Sequence, residues 1–251
     1  MLIYKYLILV FLFSTTLHAH ENSRIVKIEG EMTCISSNGI PDHEMGKFPN
    51  RANPNIFKEQ NLKFCFPSKP HITENKTLGL MTVGVFLNGV PMRPYTAEYL
   101  DLTSKRGFSK NPASGWRKQA MHNPRSLGLD NHNGHVDKSG LYHYHSVSQF
   151  LDDTPKKTLI GYAPDGFKII FDGNETSSWR LKSGLRIAPA SGKHDGQFEE
   201  DFEYRIKSGS LDECNGKYIK GVYTYFVTQS YPFFPRCFKG KVNTNFMVRK
   251  H

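Results

Sequence analysis

Seven Asn-Gly or Asp-Gly pairs divide the chain and most strongly limit what it can fold into. These pairs favour tight turns because Asn, Asp and Gly tolerate positive φ angles. They stand at 38-39, 88-89, 133-134, 165-166, 172-173, 195-196 and 215-216. Turns this frequent leave room for short strands and little room for long helices. The sequence therefore predicts a mainly β fold: a single β-rich domain of short antiparallel strands and long ordered loops, with few short helices.

Several apolar runs next to these turns have strand character. We predict strands over Leu80–Leu87, Thr158–Tyr162, Phe167–Phe171 and Phe202–Ile206, the last with regular two-residue alternation. The segment Asn38–Asn55 is rich in Gly, Pro and Asn, which predicts an ordered loop. The acidic residues 199–201 are expected to form the exposed start of the following strand.

Residues 1–19 have the features of a secretory signal peptide. Lys5 is followed by the apolar run Leu7–Phe13 and then by a polar stretch that ends at Ala19. A membrane anchor is the alternative, but a span needs about 20 apolar residues. We therefore expect residues 20–251 to be a single exported domain, periplasmic or secreted, with no transmembrane anchor after cleavage.

The chain is basic, with a formal net charge of +10 that includes Lys5. Such a charge attracts polyanions, so acidic glycans and anionic envelope components are possible partners. The Lys and Arg residues are spread along the sequence without a block of five or six. This distribution indicates a solvated surface and argues against specific nucleic-acid binding.

Four cysteines, an even number in a chain predicted to be exported, favour disulfide bonds. Three pairings are possible. Two cysteines are early and two are late, so we predict Cys34–Cys65 and Cys214–Cys237. A tetrathiolate zinc site is the alternative, although the sequence has no C-x-x-C pair.

A short internal repeat separates a common frame from a set of histidines. The segment 129–134, LDNHNG, is matched by 211–216, LDECNG, and the segment 140–144, GLYHY, is matched by 221–225, GVYTY. The shared residues suggest a turn followed by a strand with packed tyrosines. The histidines at 132, 135, 143 and 145 are replaced in the second copy by Cys214, Lys217, Thr224 and Phe226.

The histidines of the first copy form a candidate metal site. On a strand, His143 and His145 point to one face while Tyr142 and Tyr144 point to the other. His135 would supply a third ligand across a short turn, and His132 is a possible fourth. Three imidazoles with one open position suit a transition metal, with zinc or copper favoured. The alternative is that these histidines are ordinary residues of polar turns and a half-exposed strand and bind no metal.

The sequence 142–145, YHYH, together with many other segments, resembles the YHYH domain protein family. The likeness extends through nearly all of residues 34–240 in the expected order. It is carried by the segments 39–43, 48–50, 53–55, 85–90, 128–130, 135–136, 161–167, 211–216 and 231–240. The resemblance implies an exported single domain with a histidine-bearing motif, whose core is about 34–240.

The resemblance also assigns matching positions within the chain. It marks the histidines at 43, 135, 143 and 145, so His43 is added as a possible ligand on a Pro- and Asn-rich arm. Family members often carry a second Tyr-His-Tyr, but this chain has Tyr223-Thr224-Tyr225, which argues against a second metal site. Asp165 and Asp137 are candidates to orient a ligand histidine, and a general base is a further role for Asp165. For Asp165 a role in its own Asp-Gly turn is favoured over both.

Three hypotheses about function follow from these features. The first is an exported metalloenzyme in which His135, His143 and His145 hold the ion and the open position activates water or oxygen. The second is a module that binds or stores a transition metal without turnover. The third is a binding domain without metal that recognises a glycan or envelope protein through a basic, aromatic-rich surface. The sequence does not decide whether the protein is an enzyme.

Overall fold

The structure, a computed structural model, describes residues 21–147 and 157–246. The predicted signal peptide, residues 1–19, lies outside the described residues. Strands account for 37% of the structure and short helices for 7%, which confirms the predicted mainly β fold. Among the described residues, no helix has the length and apolar character needed to cross a bilayer.

The described residues form eighteen strands. They are β1 (Arg24–Glu29), β2 (Met32–Ser37), β3 (Leu62–Pro67), β4 (Ile72–Leu78), β5 (Gly84–Phe86), β6 (Pro91–Met92), β7 (Tyr95–Leu100), β8 (Phe108–Ser109), β9 (Arg117–Gln119), β10 (Gly134–Val136), β11 (Tyr142–Tyr144), β12 (Thr158–Tyr162), β13 (Lys168–Phe171), β14 (Trp179–Leu181), β15 (Phe202–Tyr204), β16 (Gly216–Ile219), β17 (Val222–Val227) and β18 (Cys237–Gly240). Short 3-10 helices cover Pro112–Ser114, Ala120–His122, Pro124–Leu127, Glu199–Asp201 and Thr244–Phe246.

The largest sheet has eight strands in the order β10-β11-β6-β5-β12-β13-β17-β16. Four sequential hairpins build it: β5–β6 and β12–β13 in the centre, and β10–β11 and β16–β17 at the two edges. The central hairpins meet through antiparallel β5 and β12. Each edge hairpin joins its central hairpin through a parallel pair, β11 with β6 and β17 with β13. The sheet therefore consists of two halves with the same hairpin order.

The tyrosines of both repeated segments pack into the main hydrophobic core. Tyr142, Tyr144, Tyr223 and Tyr225 are all at most 3% exposed and belong to one cluster with apolar residues of the central hairpins. Burial of a large side chain stabilises a fold by about 1.5–3 kcal/mol relative to its exposure. The prediction that these tyrosines pack together on one face of their strands is confirmed.

A smaller sheet of order β1-β2-β3 packs beside the large one. Its residues Phe64 and Phe66 share a cluster with Val85 of β5 and with Leu141, the residue before β11. The remaining sheets pair β14 with β15, β18 with β4, and β7 with both β8 and β9. Contacts from several distant segments therefore hold the strand that carries the YHYH sequence.

The two disulfide bonds are those predicted. Cys34–Cys65 joins directly opposed residues of β2 and β3, and Cys214–Cys237 joins the turn before β16 to the start of β18. All four cysteines are thereby bonded, so the alternative of a tetrathiolate zinc site is wrong.

Some predictions of local structure are confirmed and others are not. The strand Thr158–Tyr162 is confirmed as β12, and the loop character of 38–55 is confirmed. The strand predicted over Leu80–Leu87 shortens to Gly84–Phe86. The prediction that residues 199–201 are exposed is wrong: they form a 3-10 helix in which Glu199 and Asp201 are buried. Long-range partners, which a local pattern does not reveal, neutralise these two carboxylates.

Candidate metal centre

The hairpin β10–β11 forms the frame of the candidate site. Asp130, at the turn before β10, accepts hydrogen bonds from the backbone of His132 and Gly134 and from the hydroxyl of Tyr142, at 2.9, 3.0 and 2.8 Å. Asn133 takes a left-handed conformation with φ of 58°. Asparagine tolerates this region better than most residues, which explains its place before Gly134.

This frame brings His135, His143 and His145 together. His135 and His143 are directly opposed across β10 and β11. His145 follows the end of β11, where its backbone N–H donates to the carbonyl of Asn133 at 2.9 Å. The ring centroids of the three histidines are 4.7 to 4.9 Å apart. One potential ligand atom from each ring lies within 4.8 Å of the other two.

Each of these rings is oriented by a backbone carbonyl. The Nδ1 atom of His135 lies 2.9 Å from the Leu127 oxygen, and that of His145 lies 3.3 Å from the Pro94 oxygen. The Nδ1 atom of His143 lies 3.2 Å from an oxygen two residues earlier in the chain. A carbonyl only accepts, so each contact requires a proton on Nδ1 and leaves the Nε2 lone pair for a metal.

The Nε2 atoms of His135 and His145 are 3.1 Å apart. With both Nδ1 atoms protonated, two neutral rings present acceptor lone pairs to each other. A shared cation would satisfy both lone pairs. The separation is close to the distance of about 3.3 Å expected between two nitrogen ligands of a tetrahedral zinc with bonds of about 2.0–2.1 Å. The donor set therefore fits a transition metal that prefers imidazole.

Burial keeps the three imidazoles in the neutral form that binds metal. His143 and His145 are 4% and 1% exposed, and desolvation lowers the pKa of each well below 6.5. The pKa of half-buried His135 is also lowered, again chiefly by desolvation. The positive charge of Arg93 adds to the lowering at all three rings. A metal therefore competes with few protons for this site near neutral pH.

Asp137 supports the same hairpin through its backbone and its side chain. Its N–H donates to the Leu141 carbonyl at 3.0 Å, the oxygen that also accepts from His143. Its Oδ2 atom accepts from Nη1 of Arg93 at 2.8 Å. Arg93 was not expected from the sequence, since it lies 42 to 52 positions before the three clustered histidines. Within the described part of the chain, its buried Nε atom has no hydrogen-bond partner.

His43 and His132 form a separate pair. Their rings stack with centroids 3.4 Å apart, and Nε2 of His43 lies 2.6 Å from the hydroxyl of Tyr144. His43 also contacts the ring of Tyr142, so the pair lies on the tyrosine side of β11. The structure does not bring His43 or His132 into the group of three histidines. Strand alternation separates the two sets, because successive side chains point to opposite faces.

The structure gives Asp165 a role in the other half of the sheet. Its Oδ2 atom accepts from the hydroxyl of Tyr225 at 2.7 Å and from the N–H of Gly240 at 3.0 Å. In the first half, Asn88 contacts the hydroxyl of Tyr144 at 3.1 Å. Asp165 and Asn88 therefore occupy corresponding turns, and the contacts of Asp165 do not reach the histidine cluster. The turn role considered for Asp165 accounts for its place.

Comparison with known proteins places the chain in a family. The sequence profile described as "YHYH protein" matches residues 63–240. Neither the curated proteins nor the solved structures include a match. The matched range contains every strand of the eight-stranded sheet and all three histidines of the cluster. The resemblance identified from the sequence is confirmed: the chain belongs to the YHYH protein family.

Proposed function

We propose that His135, His143 and His145 bind one transition-metal ion, with zinc or copper favoured. The observation that carries this proposal is the orientation of three Nδ1 atoms by backbone carbonyls, with ligand atoms of all three rings within 4.8 Å of one another. Metal-binding histidines commonly have this second hydrogen bond, which fixes the tautomer and the ring orientation.

Three ligands leave a position for water or a small substrate. Three protein ligands with one open position are typical of catalytic zinc sites, whereas structural sites are closed by four. His135 retains some solvent exposure, which supports access to the ion from its side. A bound ion would act there as a Lewis acid, and Arg93 would add a positive charge near the same site. An exported metalloprotein with an accessible ion is the function that these contacts support best.

We further propose that residues 20–251 act as one exported domain, with Asp137 as a support for His143. The two disulfide bonds support an oxidising compartment, the periplasm or the exterior. Strands from both halves of the sequence share the eight-stranded sheet, which supports a single domain. Asp137 is proposed to hold the Leu141 carbonyl in place and so to orient the imidazole of His143.

Elemental analysis tests the metal proposal. The mature, oxidised protein is purified without a metal-affinity tag and compared with the double variant His143→Ala/His145→Ala by inductively coupled plasma mass spectrometry. About one zinc or copper per chain is expected in the unaltered protein and none in the variant. The variant Thr224→Ala, at the corresponding position of the second hairpin, is the matched control and should retain the metal.

Two further results would separate the alternatives. Loss of metal from His43→Ala/His132→Ala with no loss from His143→Ala/His145→Ala would move the site to the tyrosine side of β11. Equal trace metal in all proteins would contradict metal binding. In that case the histidines would remain as orientation-fixed polar residues of the sheet, and the function without metal would be preferred.

A further inference from the structure

A concave site lies outside the histidine cluster. It is a cavity of about 420 Å³ between β7, β14, the 3-10 helix Glu199–Asp201 and the adjoining ends of β4 and β18. Pockets for small ligands commonly measure about 300–1,000 Å³. None of the three proposed metal ligands lines this cavity. Its chemistry is therefore considered separately from metal binding.

Aromatic rings and guanidinium groups alternate along its wall. The guanidinium of Arg117 lies 4.9 Å from the ring centroid of Tyr99 and 5.3 Å from that of Tyr95. The guanidinium of Arg236 lies 4.9 Å from the Trp179 ring and 5.6 Å from the Tyr95 ring. Cation–π contacts of this kind hold planar donor groups in fixed orientations.

Carboxylates are built into the same wall. Glu199 is 4% exposed, and its Oε2 atom accepts from Arg236 at 2.6 Å and from the Tyr231 hydroxyl at 2.9 Å. Glu200 accepts from the backbone N–H of Arg117 at 2.7 Å. Burial of such ion pairs contributes little net stability, and apolar residues of similar volume often stabilise a fold as well or better. Burying these charged groups costs free energy that their ion pairs barely offset. Recognition of a polar ligand at the cavity explains the cluster better than a role in stability.

The charges around the cavity balance, although the whole protein is basic. Three cationic side chains line it together with three carboxylates: Lys76, Arg117 and Arg236 with Glu199, Glu200 and Glu213. Lys76 and Glu213 also form an ion pair of 2.6 Å. An anionic ligand would meet the carboxylates and a cationic ligand would meet the guanidinium groups. The site therefore favours a ligand without net charge.

We propose that this cavity binds a neutral oligosaccharide. A sugar hydroxyl both donates and accepts hydrogen bonds, so it can use the guanidinium donors and the carboxylate acceptors together. The apolar C–H face of a sugar ring can pack on Tyr99 or Trp179, both of which are partly exposed at the cavity. The site adds a carbohydrate-binding function that does not depend on the metal centre.

The two tryptophans of the chain provide the measurement. Trp179 lines the cavity, whereas Trp116 lies in a separate cluster with Ala190 and Phe198. The protein is titrated with neutral cello-, xylo-, manno-, malto- and chito-oligosaccharides while its fluorescence is recorded. At least one of these sugars should change the emission of Trp116→Phe in a saturable way. The same sugar should leave the emission of Trp179→Phe unchanged.

Affinity measurements by calorimetry then test the residues. Tyr99→Ala and Glu200→Gln should each weaken binding at least tenfold. The matched controls are Tyr218→Ala, a residue that is 60% exposed and away from the cavity, and Glu203→Gln on β15; both should bind within about twofold of the unaltered protein. Thermal unfolding checks that each variant is folded, and Glu200→Gln carries the test if Tyr99→Ala is unfolded.

Several results would overturn the proposal. Absence of binding for every neutral sugar would exclude this ligand class, and unchanged affinity in both cavity variants would exclude this site. Tighter binding of heparin or polygalacturonate oligosaccharides than of any neutral sugar would contradict the argument from charge balance. The metal-site variant His143→Ala/His145→Ala should retain sugar binding, so failure of either proposal leaves the other testable.

Discussion

The hairpins β10–β11 and β16–β17 lie at opposite edges of the large sheet and share one hydrogen-bonding frame. In the first, the Tyr142 hydroxyl donates to Asp130; in the second, the Tyr223 hydroxyl donates to Asp212, and both distances are 2.8 Å. An asparagine before the paired glycine has positive φ in both, 58° and 63°. The frame therefore forms with histidines present and with histidines absent.

The side chains that this frame carries differ in chemistry. The directly opposed pair His135 and His143 corresponds to Lys217 and Thr224 in the second hairpin. Lys217 forms an ion pair with Glu175 and its ammonium lies 5.7 Å from the Phe226 ring centroid. The lysine at this position of the second hairpin is thus paired with a carboxylate from another segment of the chain. The first hairpin brings one ring nitrogen from each of three histidines within 4.8 Å of the others, which supports the proposal that these histidines bind a metal.

Replacing the paired glycines of the frame should destabilise the protein to a similar extent in both hairpins. A Cβ atom at Gly134 would lie 2.2 Å from the Tyr142 hydroxyl, and one at Gly216 would lie 2.4 Å from the Tyr223 hydroxyl. We expect Gly134→Ala and Gly216→Ala each to lower the free energy of unfolding by about 3 kcal/mol. Urea denaturation measures the loss. Gly173→Ala, where no atom is closer than 4.0 Å, is the control and should be nearly neutral.

Stabilisation of the protein by zinc should depend on the first hairpin and not on the second. With zinc at about 100 times its Kd, we expect the free energy of unfolding to rise by about 2.7 kcal/mol and EDTA to reverse the gain. His143→Thr, which copies Thr224 of the second hairpin, should abolish the zinc response because it removes one ligand. Thr224→Ala should keep it. An equal zinc response in both variants would show that the ion binds elsewhere.

The two inner tyrosines should differ in the cost of losing their hydroxyl groups. The Tyr225 hydroxyl donates to Asp165 and accepts from the N–H of Lys239 at 2.8 Å. Among the described residues, the hydrogen bonds of the Tyr144 hydroxyl join it to the side chains of Asn88 and His43, neither of which is a carboxylate. Hydrogen bonds to ionised groups contribute more to stability than neutral ones. We therefore expect the free energy of unfolding to fall by about 2 kcal/mol in Tyr225→Phe and by about 1 kcal/mol in Tyr144→Phe. Equal losses in urea denaturation would contradict the distinction.

Acid should destabilise the metal-free protein through the first hairpin. The pKa of His145 is lowered by folding, so the unfolded chain binds more protons as the pH falls below 6.5. The histidine's contribution to stability is therefore present above pH 6.5 and is lost as the pH falls toward its lower folded pKa. In EDTA, His145→Phe, which copies Phe226, should reduce the slope of stability against pH by up to about 1.4 kcal/mol per pH unit. Parallel slopes for the variant and the unaltered protein would contradict this prediction.

Local sequence was sufficient for a large part of the fold. The pairs Asn88-Gly89 and Asp165-Gly166 marked the turns of the two central hairpins, because those turns require a residue that tolerates positive φ. Strand alternation placed His143 and His145 on one face and Tyr142 and Tyr144 on the other. The internal repeat distinguished the shared turn-and-strand frame from the histidines, which only the first copy carries. These features depend on interactions within a few residues, so a local pattern is enough to predict them.

Tertiary structure decided the features that depend on distant partners. The parallel pairs β11–β6 and β17–β13, the approach of Arg93, and the position of Asp165 beside Tyr225 join segments far apart in sequence. The burial of Glu199 likewise depends on its contact with Arg236, which the local acidic sequence does not predict. The three clustered histidines were thus predictable from one hairpin, whereas His132 and His43, also predicted as possible ligands, lie on the other face of β11. Its tautomers and electrostatics were not, because carbonyls and charges from other segments determine them.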